Sequence, residues 1–139
     1  MVSKKINLNE CKSSEYLVNA PRFDLALLDG SHIAEHVQDE FELLSLNSTS
    51  TYILHDTKTQ LLPESKDTPW YDGPLRISQK LSASPDWLCI EDGEDRKNEL
   101  TKRGFFFATR EICLYRRAKL IFEYWTSIST DELFNIMSN

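Results

Sequence analysis

The stretch Phe23-Asp24-Leu25-Ala26-Leu27-Leu28-Asp29-Gly30 decides the fold. Its apolar residues run almost unbroken instead of alternating, which is how a strand buried on both faces of a parallel sheet reads. Beyond it, Ala34, Val37, Phe41 and Leu44 recur at helical spacing, with Glu35, Gln38, Asp39 and Glu42 on the other side. That spacing predicts an amphipathic helix. Asn47-Ser48-Thr49-Ser50 breaks it. Thr51-Tyr52-Ile53-Leu54-His55 is β-branched and apolar, and so reads as a second buried strand, closed by Asp56-Thr57. Strand, helix and strand at this length form a βαβ unit, with parallel strands and a right-handed crossover expected.

Working outward, Lys4 to Cys11 alternates loosely through Ile6 and Leu8 and reads as a strand. Ser13-Ser14-Glu15 opens a helix carrying Tyr16, Leu17 and Val18, which Pro21 ends. Residues 58–74 are polar and contain Pro63, Pro69 and Gly73, so a long loop is predicted there. Leu75 to Leu81 reads as a short helix and Trp87 to Ile90 as a strand. Phe105–Ala108 and Ile112–Tyr115 are expected to be an antiparallel pair across Thr109-Arg110-Glu111. Residues 116–139 read as a helical extension, in which Ser129-x-x-Glu132 makes a capping box ahead of Leu133, Ile136 and Met137. Phe105, Phe106 and Phe107 are expected in the core, and Cys89 and Cys113 as inert thiols within apolar strands. Arg116, Arg117 and Lys119 are read as solvated charges beside the last strand, and His36 as solvent-facing.

Composition narrows the function classes. At 139 residues the chain has the length of one domain, expected over 1–139. A net charge of −6 argues against sequence-independent nucleic-acid binding, because neutralising phosphates takes a basic surface. No run approaches the roughly 20 apolar residues of a membrane helix. Met1-Val2-Ser3-Lys4-Lys5 leads into no apolar run, so no signal peptide is expected. Three widely spaced cysteines fit reduced thiols, and with them a cytoplasmic protein. The four glycines, Gly30, Gly73, Gly93 and Gly104, never cluster as a loop that wraps a pyrophosphate or nucleoside requires.

Chemistry gathers where the two strands end, in Asp29 and Asp56. Ligands of open α/β sheets bind outside the carboxyl ends of the strands. If the two strands are neighbours, about 5 Å apart, both carboxylates face one crevice with His32 and His55. Carboxylate, imidazole and the Thr57 hydroxyl suit either a divalent cation or an acid–base pair. An aspartate at this place serves equally well as a helix cap, and residue types alone do not choose between the roles. Trp70 and Tyr71, in the long loop, suit stacking on a sugar or nucleobase, or packing over the sheet end.

Phe23 to His32, then Glu35-His36-Val37-x-x-Glu40, then Tyr52-Ile53-Leu54-His55-Asp56-Thr57, resembles the fourth and fifth strands of class I S-adenosylmethionine-dependent methyltransferases. The branch containing cephalosporin-hydroxylase-like proteins and the rhamnosyl and macrolide-sugar O-methyltransferases is the most similar. Trp70-x-x-Gly73-Pro74, Pro85-Asp86-Trp87, Asp92, Arg96, Leu100-Thr101 and Gly104-Phe105 resemble the closing segment of the cephalosporin-hydroxylase-like proteins. The resemblance covers roughly Ile6 to Tyr115. It implies an α/β class: a partial Rossmann-like methyltransferase fold, with a parallel sheet and an antiparallel C-terminal hairpin. It implies S-adenosylmethionine as cofactor and the hydroxyl of a sugar or small molecule as acceptor. Residue by residue, Asp29 and Asp56 match divalent-metal ligands, and His32 matches the base that takes the acceptor proton. His55 stands where those enzymes carry an acid, and an imidazole ligand shifts preference away from magnesium.

The family's cofactor-binding strands and glycine-rich loop would precede the residues quoted, so the chain reads as the C-terminal, acceptor-side half of that fold. Three expectations follow from it: a methyltransferase completed by another segment, a non-catalytic binding or assembly module, or a metal-dependent hydrolase using Asp29, Asp56 and the two histidines. A sheet cut at one edge is expected to self-associate or to take up a complementing polypeptide there.

Overall fold

The computed structural model describes residues 11–58, 71–91 and 104–129, together with 131, 132 and 135. The strand expected over residues 4–11 lies almost wholly outside the described residues, as do Trp70, Asp92, Arg96 and Leu100-Thr101. Among the described residues the chain order is α1 (Ser13–Leu17), β1 (Leu25–Leu28), α2 (Ala34–Leu46), β2 (Thr51–His55), α3 (Gly73–Ser82), β3 (Leu88–Glu91), β4 (Phe105–Thr109) and α4 (Ile112–Ser127). The molecule is α/β, with one four-stranded sheet ordered β1-β2-β4-β3.

The βαβ unit forms as expected: β1 and β2 are parallel neighbours, with Leu25 opposite Thr51 and Leu28 opposite Leu54. β1 is not buried on both faces as its unbroken apolar run implied, because one of its faces is left uncovered at the sheet edge. The rest of the sheet is antiparallel, β4 pairing with β2 on one side and β3 on the other. The antiparallel hairpin expected from Phe105–Ala108 and Ile112–Tyr115 is therefore corrected. β4 is the central antiparallel strand, and Ile112 begins the helix α4. A four-residue apolar run does not distinguish strand from helix. Here the decisive residues come later: Ala118 is buried, and Phe122 lies 5.2 Å from Phe105 and 6.3 Å from Phe107, ring centre to ring centre. Those contacts recur at helical spacing and lay α4 on the sheet.

Two further expectations move with it. Cys113 is exposed on α4 instead of buried in a strand, and Arg116, Arg117 and Lys119 are exposed on the same helix. The loop expected over 58–74 ends early, because Gly73 and Pro74 already belong to α3, with Pro74 in the first turn, where its missing N–H costs nothing. The capping box is present: the Ser129 amide donates to Glu132 Oε2 at 2.8 Å and the Glu132 amide to Ser129 Oγ at 3.3 Å.

Strand alternation divides the side chains between two layers. Tyr52 and Leu54 of β2, with Phe106 and Ala108 of β4, join Val37, Phe41 and Leu44 of α2 and Ile77 and Leu81 of α3 in the main core. Tyr52, Leu54 and Ala108 are each 0% exposed. Truncating Leu54 to Ala is expected to cost about 2–5 kcal/mol, since such a site cannot collapse around the void. On the opposite face α4 covers β4 and β3, but Leu25 and Leu27 of β1 remain 47% and 57% exposed.

Candidate functional site

Because β1 and β2 are parallel and in register, their carboxyl ends lie side by side, and the residues that close them converge. Asp29 follows β1, His55 is the last residue of β2, Asp56 follows it, and His32 lies between β1 and α2. His32 Nε2 approaches Asp56 Oδ2 to 2.9 Å. His55 Nδ1 lies 3.0 Å from Asp29 Oδ1 and 3.3 Å from Asp56 Oδ1. All four residues named from the sequence thus form one cluster.

Burial grades across it. The Asp56 side chain is 7% exposed, that of His32 15%, His55 24% and Asp29 51%, so the cluster runs from the interior to solvent. Asp56 carries a left-handed backbone with φ of 55°. Non-glycine residues in that conformation are uncommon, and strain of this kind concentrates at binding and catalytic sites. Gly104 supports the turn from behind, with φ of 105°. A side chain there would strike the Thr57 hydroxyl and come within 2.6 Å of the Lys58 amide nitrogen. Thr57 is half-buried beside Asp56.

Asp29 does not cap α2. The N-cap position is Ile33, and the Ile33 amide donates to Ser31 Oγ at 3.2 Å. The capping role left open by the sequence is therefore not the one it plays. Ser31 Oγ also meets Nδ1 of His36, 3.1 Å away on the exposed face of α2. Tyr71 turns toward the cluster and not toward open space: its ring meets that of His32 edge-on, centroids 5.0 Å apart at 70°. Beside it the Gly73 amide donates to the His32 carbonyl at 2.9 Å.

Asp29, His55 and Asp56 offer three ligand atoms within 4.8 Å of one another. Cis ligands of an octahedral ion bound at about 2.1 Å stand roughly 3 Å apart, which matches the two short separations at His55. The Asp56 Oδ1 atom is shut off from water and makes no aligned hydrogen bond among the described residues. Such an oxygen is poorly served by a histidine alone. This donor set could hold a divalent cation, and His32 Nε2 lies 2.9 Å from the second oxygen of Asp56, outside that set.

A cleft of 390 Å³ adjoins Asp29 and Gly30, walled by β1 and by Tyr16, Leu17, Phe23 and Leu44. A second cavity, of 430 Å³, lies between α1 and α2 and reaches none of the cluster.

Three features escaped sequence reading: the ring contact of Tyr71 with His32, the left-handed turn at Asp56, and the support from Gly104. Only Gly104 left a trace, as a lone glycine before an apolar strand, where positive φ is a standing option. Compared with known proteins, the chain matches no family model, no curated protein and no solved structure.

Proposed function

We propose that the chain carries the acceptor-side half of an oxygen-directed methyl-transfer site, acting on the hydroxyl of a sugar or other small molecule with S-adenosylmethionine as donor. The observation that carries this is the pairing of His32 with buried Asp56 at 2.9 Å, at the carboxyl ends of two parallel strands. Those residues are the ones that resemble the base and the metal ligands of the sugar O-methyltransferases. Neutral imidazole keeps one nitrogen with a free lone pair, and on His32 that nitrogen would accept the hydroxyl proton. Asp56 stabilises the imidazolium that results, and general-base help of this kind contributes about 10²–10⁴-fold.

Asp29, His55 and Asp56 would hold the cation, which when bound supplies a positive charge that draws the acceptor oxygen into the cluster. Exposed Asp29 forms the solvent-facing lip of that cluster. The described residues do not fit the methyl donor. Gly30, Gly73 and Gly104 lie on separate segments and form no continuous cradle, so among the described residues those named above would serve the acceptor side. The test is titration of the protein with S-adenosylmethionine. Micromolar binding supports methyl transfer by this chain itself; no binding at millimolar ligand, alone or with divalent cation, removes it.

A second proposal, a non-catalytic assembly module, is favoured by one observation. β1 ends the sheet among the described residues, and its Leu25 and Leu27 stand exposed. An uncovered strand edge with apolar flanks favours association, either as a homo-oligomer or with a complementing polypeptide. The net charge of −6 makes nucleic acid a poor partner. No helix among the described residues is long and apolar enough to cross a membrane.

A further inference from the structure

We infer that a second copy of this chain covers the open half of the sheet, each copy laying its α4 over β1 of the other. This rests on the assembly module proposed above, and it names the partner and the contact. Sheet pairing and alternation define the surface involved. Phe105 and Phe107 of β4 meet Phe122, so the odd-numbered side of β4 is the α4 face. Phe107 is paired with Ile53 of β2, and Ile53 with Leu27 of β1, so the same face runs on to the sheet edge. α4 packs on β4 and β3, two of the four strands. Strands lie about 4.8 Å apart and a helix is about 10 Å across, so the uncovered half is one helix wide. Leu25 and Leu27, each about half exposed, form its floor beside half-buried Ile53. No helix among the described residues covers them.

The wall of this groove is α4 itself. With Ala118 and Phe122 turned to the sheet, Leu120 points outward, and Ile121 and Tyr124 fall on one flank. α4 runs back along β4, and a right-handed β1-α2-β2 crossover with α2 on the other face sets β1 on that flank. Leu120, Ile121 and Tyr124 are each more than half exposed, a cluster of a kind that marks an interaction surface. Arg117, on the same flank, is long enough to keep its charge in water while its stem lies along the groove.

A ridge and a groove side by side on one face, each one helix wide, complement a second copy turned about a two-fold axis parallel to α4. Each α4 then fills the groove of the other copy. Leu120 meets Leu27 of the partner subunit, and the partner subunit's Leu120 meets Leu27. The sixteen residues of α4 make it about 24 Å long. Half of that cylinder and the open floor, taken from both copies, come to roughly 1,000 Å², the size that a specific interface needs. Edge pairing of the four-residue β1 alone would span only about 13 Å and leave Leu120, Ile121 and Tyr124 bare.

The test is the mass in solution, by light scattering, of the wild type and of Leu27→Glu and Leu120→Lys, alone and mixed. The wild type should weigh twice 16.2 kDa, and each variant alone 16.2 kDa. An equimolar mixture of the two variants should regain the double mass. In that mixed pair glutamate on one chain faces lysine on the other, while the second contact stays leucine on leucine. Melting curves show that each variant is folded, and Tyr124→Lys takes the place of Leu120→Lys if that one is not. A monomeric wild type overturns this inference and the assembly module together. A double mass retained by Leu120→Lys, or a mixture that stays monomeric, overturns the α4 contact while association of the wild type keeps the assembly module standing.

Discussion

Asp56 combines a left-handed backbone, φ 55°, with a carboxylate that is 7% exposed and flanked by two imidazoles. Asparagine tolerates that backbone nearly as well as aspartate, whereas alanine does not. Asp56→Asn should therefore stay within about 1 kcal/mol of the wild type in chemical denaturation, and Asp56→Ala should lose roughly 1–3 kcal/mol more. The buried hydroxyls of Thr51 and Thr109, 2.9 Å apart across the sheet, give a second residue-level expectation with an asymmetry. Thr109 Oγ1 also accepts from the Glu111 amide at 3.1 Å, so it keeps a partner when Thr51 becomes valine. The reverse change strands the Thr51 hydroxyl, which is 1% exposed. Thr109→Val should cost about 1–3 kcal/mol and Thr51→Val distinctly less. Equal losses in the two variants would show that the pair is not the constraint.

At the scale of elements, α2 was legible from the helical spacing of its apolar residues, and β1 and β2 from short apolar runs that Gly30 and Asn47–Ser50 punctuate. α4 was not, because its first four residues have the composition of a strand. What makes them helical is the docking of Phe122 and Ala118, which lies beyond any local window. Thiol labelling checks the corrected helix: exposed Cys11 and Cys113 should react promptly in the folded protein, and partly buried Cys89 only slowly. A Cys113 as slow as Cys89 would return it to the core. Tyr52, on β2, reports on the packing of α2 against the sheet. Burial raises its phenol above the ordinary 10.0, against a smaller opposing effect of the Ser45 hydroxyl 3.1 Å away. The unfolded chain ionises first, so this contribution is complete below about pH 10 and lost as pH rises toward the folded value. Cys89, raised by burial from 9.0, opens the same window slightly lower. The melting temperature should fall between pH 9 and 11, and Tyr52→Phe should flatten the upper part of that fall. An identical alkaline loss in Tyr52→Phe would place its cause elsewhere.

Across the whole molecule, sequence and topology meet at the open end of the sheet. The mixed order β1-β2-β4-β3 leaves β1 at one edge among the described residues, with Leu25 and Leu27 exposed on the α4 face, beyond the strands that α4 covers. Light scattering coupled to size exclusion should show a species heavier than 16.2 kDa, reduced to that mass by Leu27→Lys. A monomer at all concentrations would count against the association of that edge. The membership of the candidate site was legible for a reason of the same scale, since adjacent parallel strands must deliver their terminal residues to one place. Its internal wiring was not, because which imidazole faces which carboxylate depends on turns fixed by Gly73 and Gly104 from distant segments. The cluster of Asp29, His55 and Asp56 is the point on which the functional account turns, and calorimetric titration with manganese and zinc addresses it without any assumption about the reaction. One ion should bind per chain in the wild type, and binding should be lost in Asp56→Asn, which keeps the backbone. No heat of binding in the wild type, or equal affinity in the two proteins, would contradict it.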